Sequence, residues 1–307
     1  MSIYNTPYDD VFRTLLTDCK WLIVPVVNEI FDEQYNDIKD IVLLQNEIYI
    51  KQQDGVEEKK ITDSSFAIIL ADGSTARYHL ECQSSSDGSM ILRMFEYDSQ
   101  IALMDRCTKE HELTVNFPNS AVLYLRHNKN TPDVYKITIN TPGGKISYLV
   151  PTLKVKEYSI DDIFAKRLFF LIPFYIFGFE VKFDEISQDE EKLESLRNKY
   201  AKIVAQLNAM TTDGIIDAYT NKTICEMSKK VVEHLASKYD NIIKGVSEIM
   251  GGKILDYEAK DILNQGRNEG AINMLISLVR DGLLAIEDAA KKAGMTLEDF
   301  SNTMNKR

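Results

Sequence analysis

Between Ile61 and Gln83 the chain reads ITDSSFAIILADGSTARYHLECQ, two β-prone runs joined by Ala71-Asp72-Gly73. Side chains alternate with period two along a strand, so a change of one residue in the turn moves every side chain to the other face. A two-residue Asp72-Gly73 turn sets Asp63 opposite Cys82 and the apolar Phe66 opposite His79. A three-residue loop with Gly73 in the left-handed region sets Asp63 opposite Glu81, Ser65 opposite His79 and Phe66 opposite Tyr78. The second register sorts the faces. Phe66, Ile68, Leu70, Tyr78 and Leu80 share a core side, while Asp63, His79, Glu81 and Gln83 share the other.

Two carboxylates facing each other on neighbouring strands have Cβ atoms about 5 Å apart and repel unless a cation lies between them. A hard divalent ion suits such a place: Mg²⁺ takes oxygen ligands, keeps several waters and polarises phosphoryl oxygens. Gln83 is spaced to orient a water beside it. On spacing alone the D…E-x-Q pattern remains weak, because a solvated strand face satisfies it equally well.

Around this hairpin the pattern predicts helix, strands, helix, strand. Thr6 as N-cap, Pro7 at the first helical position and Asp9 in the first turn start a helix, which Pro25 kinks or splits further along. EIYIK is β-prone, residues 90–111 read as one amphipathic helix, and AVLYLR at 121–126 suits a buried strand, with VYKITIN and KISYLV after it. From Ile160 the pattern is helical almost to the end, with a charged, linker-like stretch at 184–194 and a soft boundary near residue 182. Residues 1–182 and 183–307 are thus the expected domain and helical C-terminal region.

The chain has 307 residues, 44% of them hydrophobic, enough to bury a large core. The start MSIYNTPYDD shows no secretory pattern, which favours the cytoplasm. The apolar run LFFLIPFYIFGF at 168–179 is too short for a bilayer and carries Pro173, so a buried helix is expected and no membrane contact. Cys19, Cys82, Cys107 and Cys225 have no zinc or disulfide spacing. The net charge of −11 is uneven: residues 1–112 carry −11, 113–180 carry +3 and 181–307 carry −3. Phosphate contacts are therefore expected from the middle segment, with Lys154, Lys156, Lys166 and Arg167 as candidates.

The run Thr62-Asp63 followed by Leu80-Glu81-Cys82-Gln83 resembles the D…E-x-K signature of PD-(D/E)XK nucleases, in the variant with Gln for Lys. The whole chain resembles, more narrowly, the recombination-promoting nuclease/transposase family. The pieces that carry this are Y-D-D-V-F-R at 8–13, N-E at 46–47, Asp63, E-C-Q at 81–83, Arg93 and Tyr97, P-T-L-K-V-K-E-Y at 151–158 and L-F-F-L-I-P-F-Y at 168–175. The resemblance implies an α/β fold with an α-β-β-β-α-β restriction-endonuclease-like core. It implies Mg²⁺-dependent (or Mn²⁺-dependent) endonuclease hydrolysis of DNA phosphodiesters, in recombination or mobile-element biology. Asp63, Glu81 and the backbone carbonyl of Cys82 are then metal ligands, and Gln83, Arg93 and Tyr97 complete the catalytic set. Thr62 stands where the superfamily has proline, and Gln83 lacks the lysine's charge.

Arg93, Tyr97 and Gln100 share one helical face, suited to one phosphate, and the resemblance makes Asp10 a further acidic candidate on the first helix. The C-terminal Ala290-x-x-x-Gly294 spacing is that of helix-turn-helix units and supports a rival reading, a DNA-binding regulator without catalysis; a third is a non-catalytic protein-interaction module on a nuclease fold. Residues 296–304 offer Glu298 and Asp299 but no arginine or lysine to read bases. A helical hairpin using Leu275, Ile276, Leu278, Val279 and Leu283, for core packing or homo-oligomerisation, is the stronger expectation.

Overall fold

The computed structural model describes residues 7–44, 47–51, 57–61, 64–84, 88–104, 106–251, 275–277, 279–280, 284–293 and 295–305. Thr6, Asn46, Thr62, Asp63, Leu278, Leu283 and Gly294, all named above, lie outside the described residues. The chain is mixed α/β and forms two compact units, Met1–Ala209 with Thr223–Gly251, and Met210–Lys222 with Gly252–Arg307.

The first unit is built on a mixed six-stranded sheet. Its order is β1 (Ile38–Leu43), β4 (Ser64–Leu70), β5 (Thr75–Gln83), β8 (Asn119–Tyr124), β10 (Gly144–Lys154) and β9 (Val134–Thr141). β8 runs parallel to both β5 and β10, and the other pairs are antiparallel. Two short hairpins form separate two-stranded sheets, β2 (Glu47–Lys51) with β3 (Glu57–Ile61) and β6 (Cys107–Lys109) with β7 (Glu112–Thr114).

Helices α1 (Pro7–Asp18) and α2 (Ile23–Phe31) precede the sheet, and α3 (Met90–Met104) crosses from β5 to β8. Adjacent residues of β5 show which helix covers which face. Tyr78 packs against Phe31 of α2 with ring centroids 5.2 Å apart and against Phe66 at 5.6 Å. His79, its neighbour, meets Asp98 and Tyr97 of α3. On the α3 side Met90 and Met94 bury Val122, Tyr124, Ile137 and Val150. Both faces of β5 are thus interior, and the polar face expected from alternation lies under a helix.

The hairpin adopts the three-residue register: Ser64 pairs with Leu80, Ser65 with His79 and Phe66 with Tyr78. The Leu70 amide donates to the Ser74 carbonyl at 2.9 Å, and the Asp72 carboxylate accepts from the Ser74 amide at 2.8 Å. Gly73 has φ 85°, and a Cβ there would meet no atom within 4 Å, so substitution costs only backbone strain. Gly73→Val is expected to lower unfolding free energy by at least about 1 kcal/mol, because a β-branched residue resists the left-handed region. Gly73→Asn should lose clearly less in the same urea titration. Equal losses would show that backbone handedness is not what the site selects.

Several expectations shift in detail. The break after α1 falls at the 3₁₀ turn Lys20–Leu22, and Pro25 sits in the first turn of α2, where its missing N–H is harmless. The helix expected over 90–111 ends at Met104; Cys107–Thr114 turns back as a hairpin through Glu110 at φ 46°. The apolar run is buried, but as a ten-residue 3₁₀ segment, Phe169–Gly178. Pro173 cannot donate a hydrogen bond there, and apolar residues all round leave no solvent stripe.

The linker-like stretch is helical. α5 (Phe183–Gln188) comes after α4 (Ile160–Ala165), and α6 (Glu190–Thr212) starts where the Asp189 carboxylate accepts from the amides of Glu191 and Lys192 at 3.0 and 3.2 Å. α7 (Ala218–Leu235) and α8 (Asp240–Met250) come next. In the second unit α9 (Ile286–Ala293) and α10 (Leu297–Asn305) bury Ala289, Ala290 and Phe300 with Ile276, and Leu275 and Val279 pack on this cluster. No helix among the described residues is long and apolar enough to cross a membrane.

Candidate active site

Strand β5 carries Glu81 and Gln83 at its C-terminal end, where the parallel strands stop side by side. Gln83 is in register with Tyr124 of β8, and Tyr124 with Lys154 of β10. Neighbouring strands lie about 4.8 Å apart, so Lys154 stands roughly 10 Å from Gln83 on the same sheet face. The mouth formed by the carboxyl ends of parallel strands is where open α/β sheets commonly take ligands.

Glu81 is buried, at 4% exposure, and does not stand in solvent. Its Oε1 lies 3.1 Å from Nε2 of His79, and Nδ1 of His79 lies 2.8 Å from Oδ1 of Asp98. His79 and Asp98 are both 0% exposed. Ser120 of β8 donates its hydroxyl to the Asp98 Oδ1 at 2.6 Å, and Tyr148 of β10 donates to Oδ2 at 3.1 Å. Complete burial works against a charge on His79. Hydrogen bonds and attraction from Asp98 and Glu81 outweigh it and raise the imidazole from 6.5 to about 9. The ring is therefore an imidazolium that donates from both nitrogens. Burial and the Asp98 carboxylate hold the Tyr148 hydroxyl protonated well beyond its ordinary range, so it stays a donor.

The carboxylate expected to face Asp63 thus has a cationic partner on its own strand. Asp63 lies outside the described residues, and the pairing of β4 with β5 is described as far as Ser64 with Leu80.

Arg93 and Tyr97 come to the same face by separate routes. Arg93 donates from Nη2 to Oε1 of Gln83 at 2.9 Å, so the guanidinium adjoins the Gln83 side chain. Tyr97 is buried with its ring edge against His79, centroids 5.8 Å apart, and so backs the Glu81 pair. Cys82 points its thiol into the opposite layer. The Gln83 carbonyl accepts from the Leu125 amide just past the end of β8, so strand alternation turns the Cys82 carbonyl away from β8 and toward the β4 side.

The basic candidates are dispersed. Lys154 is buried beside the site and bonds Asp133 at 2.5 Å, with Glu157 at 3.8 Å. Lys156 lies two residues further on in the turn, its ammonium pushed below the usual range by burial. Lys166 bonds Glu29 at 2.5 Å, over the Tyr158 ring. Arg167 ends the turn after α4 with φ 56°. Asp10 lies on α1, 3.5 Å from Lys230.

Sequence reading did not single out Asp98, Ser120, Tyr148 or Arg126. Arg126 grips Glu180 through Nε and Nη2 at 2.6 and 2.7 Å and donates from Nη1 to the Ser84 carbonyl at 2.7 Å, just past Gln83. The Phe177 ring lies 4.8 Å below the guanidinium. Only His79 carried a local signal, its place two residues before Glu81 on one strand face.

Among the described residues no group of three or more His, Cys, Asp or Glu side chains is arranged to hold a metal ion. Mg²⁺ does not require such a cage, since it is commonly held by one or two carboxylates with waters and substrate phosphates. A carboxylate has about four lone-pair sites, so the bond from His79 does not exhaust Glu81. Glu81 thus keeps oxygen lone pairs that a hard divalent ion could use. No protein-family model matches the chain, and neither does any curated protein or solved structure.

Proposed function

We propose that the chain is a Mg²⁺-dependent DNA endonuclease of the PD-(D/E)XK type, with its site at the C-terminal end of β5. One observation carries the reading: a buried, oriented Glu81 is followed two residues later on the same face by Gln83, which an arginine from the crossover helix contacts. The order of α1, α2, β1, β4, β5, α3 and β8 supports an α-β-β-β-α-β core. Asp63 is assigned as the second acidic ligand on the sequence pattern.

Mg²⁺ bound there supplies charge neutralisation at the phosphodiester and acidifies a water. The chain's own groups do the positioning. Glu81 provides the negative oxygen that holds the ion, and the Gln83 amide orients the attacking water. Arg93 offers a guanidinium to the phosphate as negative charge grows on its oxygens, making good the charge that Gln83 lacks. Lys154, at one edge of the same mouth, is the basic candidate assigned to the DNA backbone.

Incubation of the purified chain with supercoiled plasmid tests this. Nicked and linear DNA should accumulate with Mg²⁺ or Mn²⁺ and not with EDTA. Binding of DNA to the same extent in EDTA, without cleavage under any divalent ion, would establish the non-catalytic binding module instead.

A further inference from the structure

We infer that Asp98 and His79 are positioning residues that hold the Glu81 carboxylate in its working orientation, an inference that rests on the reading of Glu81 as a metal ligand. The two side chains are fully buried, and they form a line from the sheet's interior to the proposed site. Asp98 is itself fixed from three elements: His79 on β5, Ser120 on β8 and Tyr148 on β10. Its carboxylate anchors Nδ1, which sets the rotation of the ring and aims Nε2 at Oε1 of Glu81. Tyr97 closes the ring's flank at 82°.

Stability alone does not account for this construction. Buried ionic networks are often matched or bettered by apolar residues of similar volume. A carboxylate and histidine lined up behind an acidic ligand do what outer partners of metal ligands do, fixing the angle at which the ligand meets the ion. Neither residue touches the reacting atoms; both act through Glu81.

The test is calorimetric titration of the full-length chain with Mn²⁺, for wild type, Asp98→Asn and Glu81→Gln. Asp98→Asn keeps the shape and removes the charge that aims the ring. Its Mn²⁺ dissociation constant is expected to rise at least about tenfold, the scale on which outer partners act. Melting in EDTA is measured in parallel, because a merely structural role would lower the melting temperature and leave the affinity of the folded protein alone. If Asp98→Asn does not fold, Tyr148→Phe removes one donor to Asp98 at constant shape and should weaken Mn²⁺ binding by a smaller factor. Folded variants that bind Mn²⁺ as tightly as wild type overturn the relay. Wild type and Glu81→Gln binding alike, or neither binding, would overturn the metal-site reading and the relay with it.

Discussion

Glu81→Gln is expected to reduce Mg²⁺-dependent plasmid nicking by more than about a hundredfold, beyond what losing an outer partner of a ligand typically costs. The substitution is chosen for what it keeps. Glutamine at 81 still offers Oε1 to Nε2 of His79, 3.1 Å away, so the hydrogen bond survives while the ligand's negative charge does not. Glu81→Ala should lose activity to the same degree but also melt earlier. It leaves a buried imidazolium short of a partner, and breaking a buried pair from one side costs about 3 kcal/mol or more. Asp63→Ala is expected to match Glu81→Gln in activity. Wild-type cleavage by Glu81→Gln, with melting unchanged, would remove Glu81 from the chemistry altogether.

Metal-free protein should lose stability steadily as the pH rises from about 6.5 to beyond about 9. His79 titrates near 6.5 unfolded and about 9 folded, so the folded state binds its proton more tightly. The stabilisation is whole below the lower value and disappears as the pH passes the upper one. At about 1.4 kcal/mol per pKa unit it amounts to a few kcal/mol. The groups that face the ring are Glu81 on its own strand, Asp98 and Tyr97 from α3, and, through Asp98, Ser120 and Tyr148. Melting temperatures of wild type and His79→Gln across this range in EDTA provide the check. Wild type should slope downward and the variant should be much flatter; parallel curves would mean the ring is not charged in the fold.

The hairpin was legible because two local signals agree there. Turn chemistry at Ala71-Asp72-Gly73 fixes the loop length, and only that length puts Phe66, Ile68, Tyr78 and Leu80 on one side. β1 was missed for the opposite reason: Val42 and Leu43 are exposed at the sheet's edge, so no clean alternation marks it. Asp98 was missed because the rotation of α3 about its axis is set by packing. The stripe that joins Arg93 to Tyr97 at i, i+4 points attention one residue short of the side chain that reaches His79. The lysines were chosen by local charge density, which is blind to Glu29 and Asp133, the distant partners that engage Lys166 and Lys154.

The grip of Arg126 on Ser84 and Glu180 sets an order in time. On a ribosome the strands that present Glu81 emerge early, yet the carboxylate that steadies Arg126 is not made until residue 180. At roughly 5–20 residues per second, synthesis from Gln83 to Glu180 takes on the order of ten seconds. For that interval the nascent chain carries Glu81 on an unclamped strand, and the finished end of β5 belongs only to a chain that has grown past its apolar 3₁₀ segment.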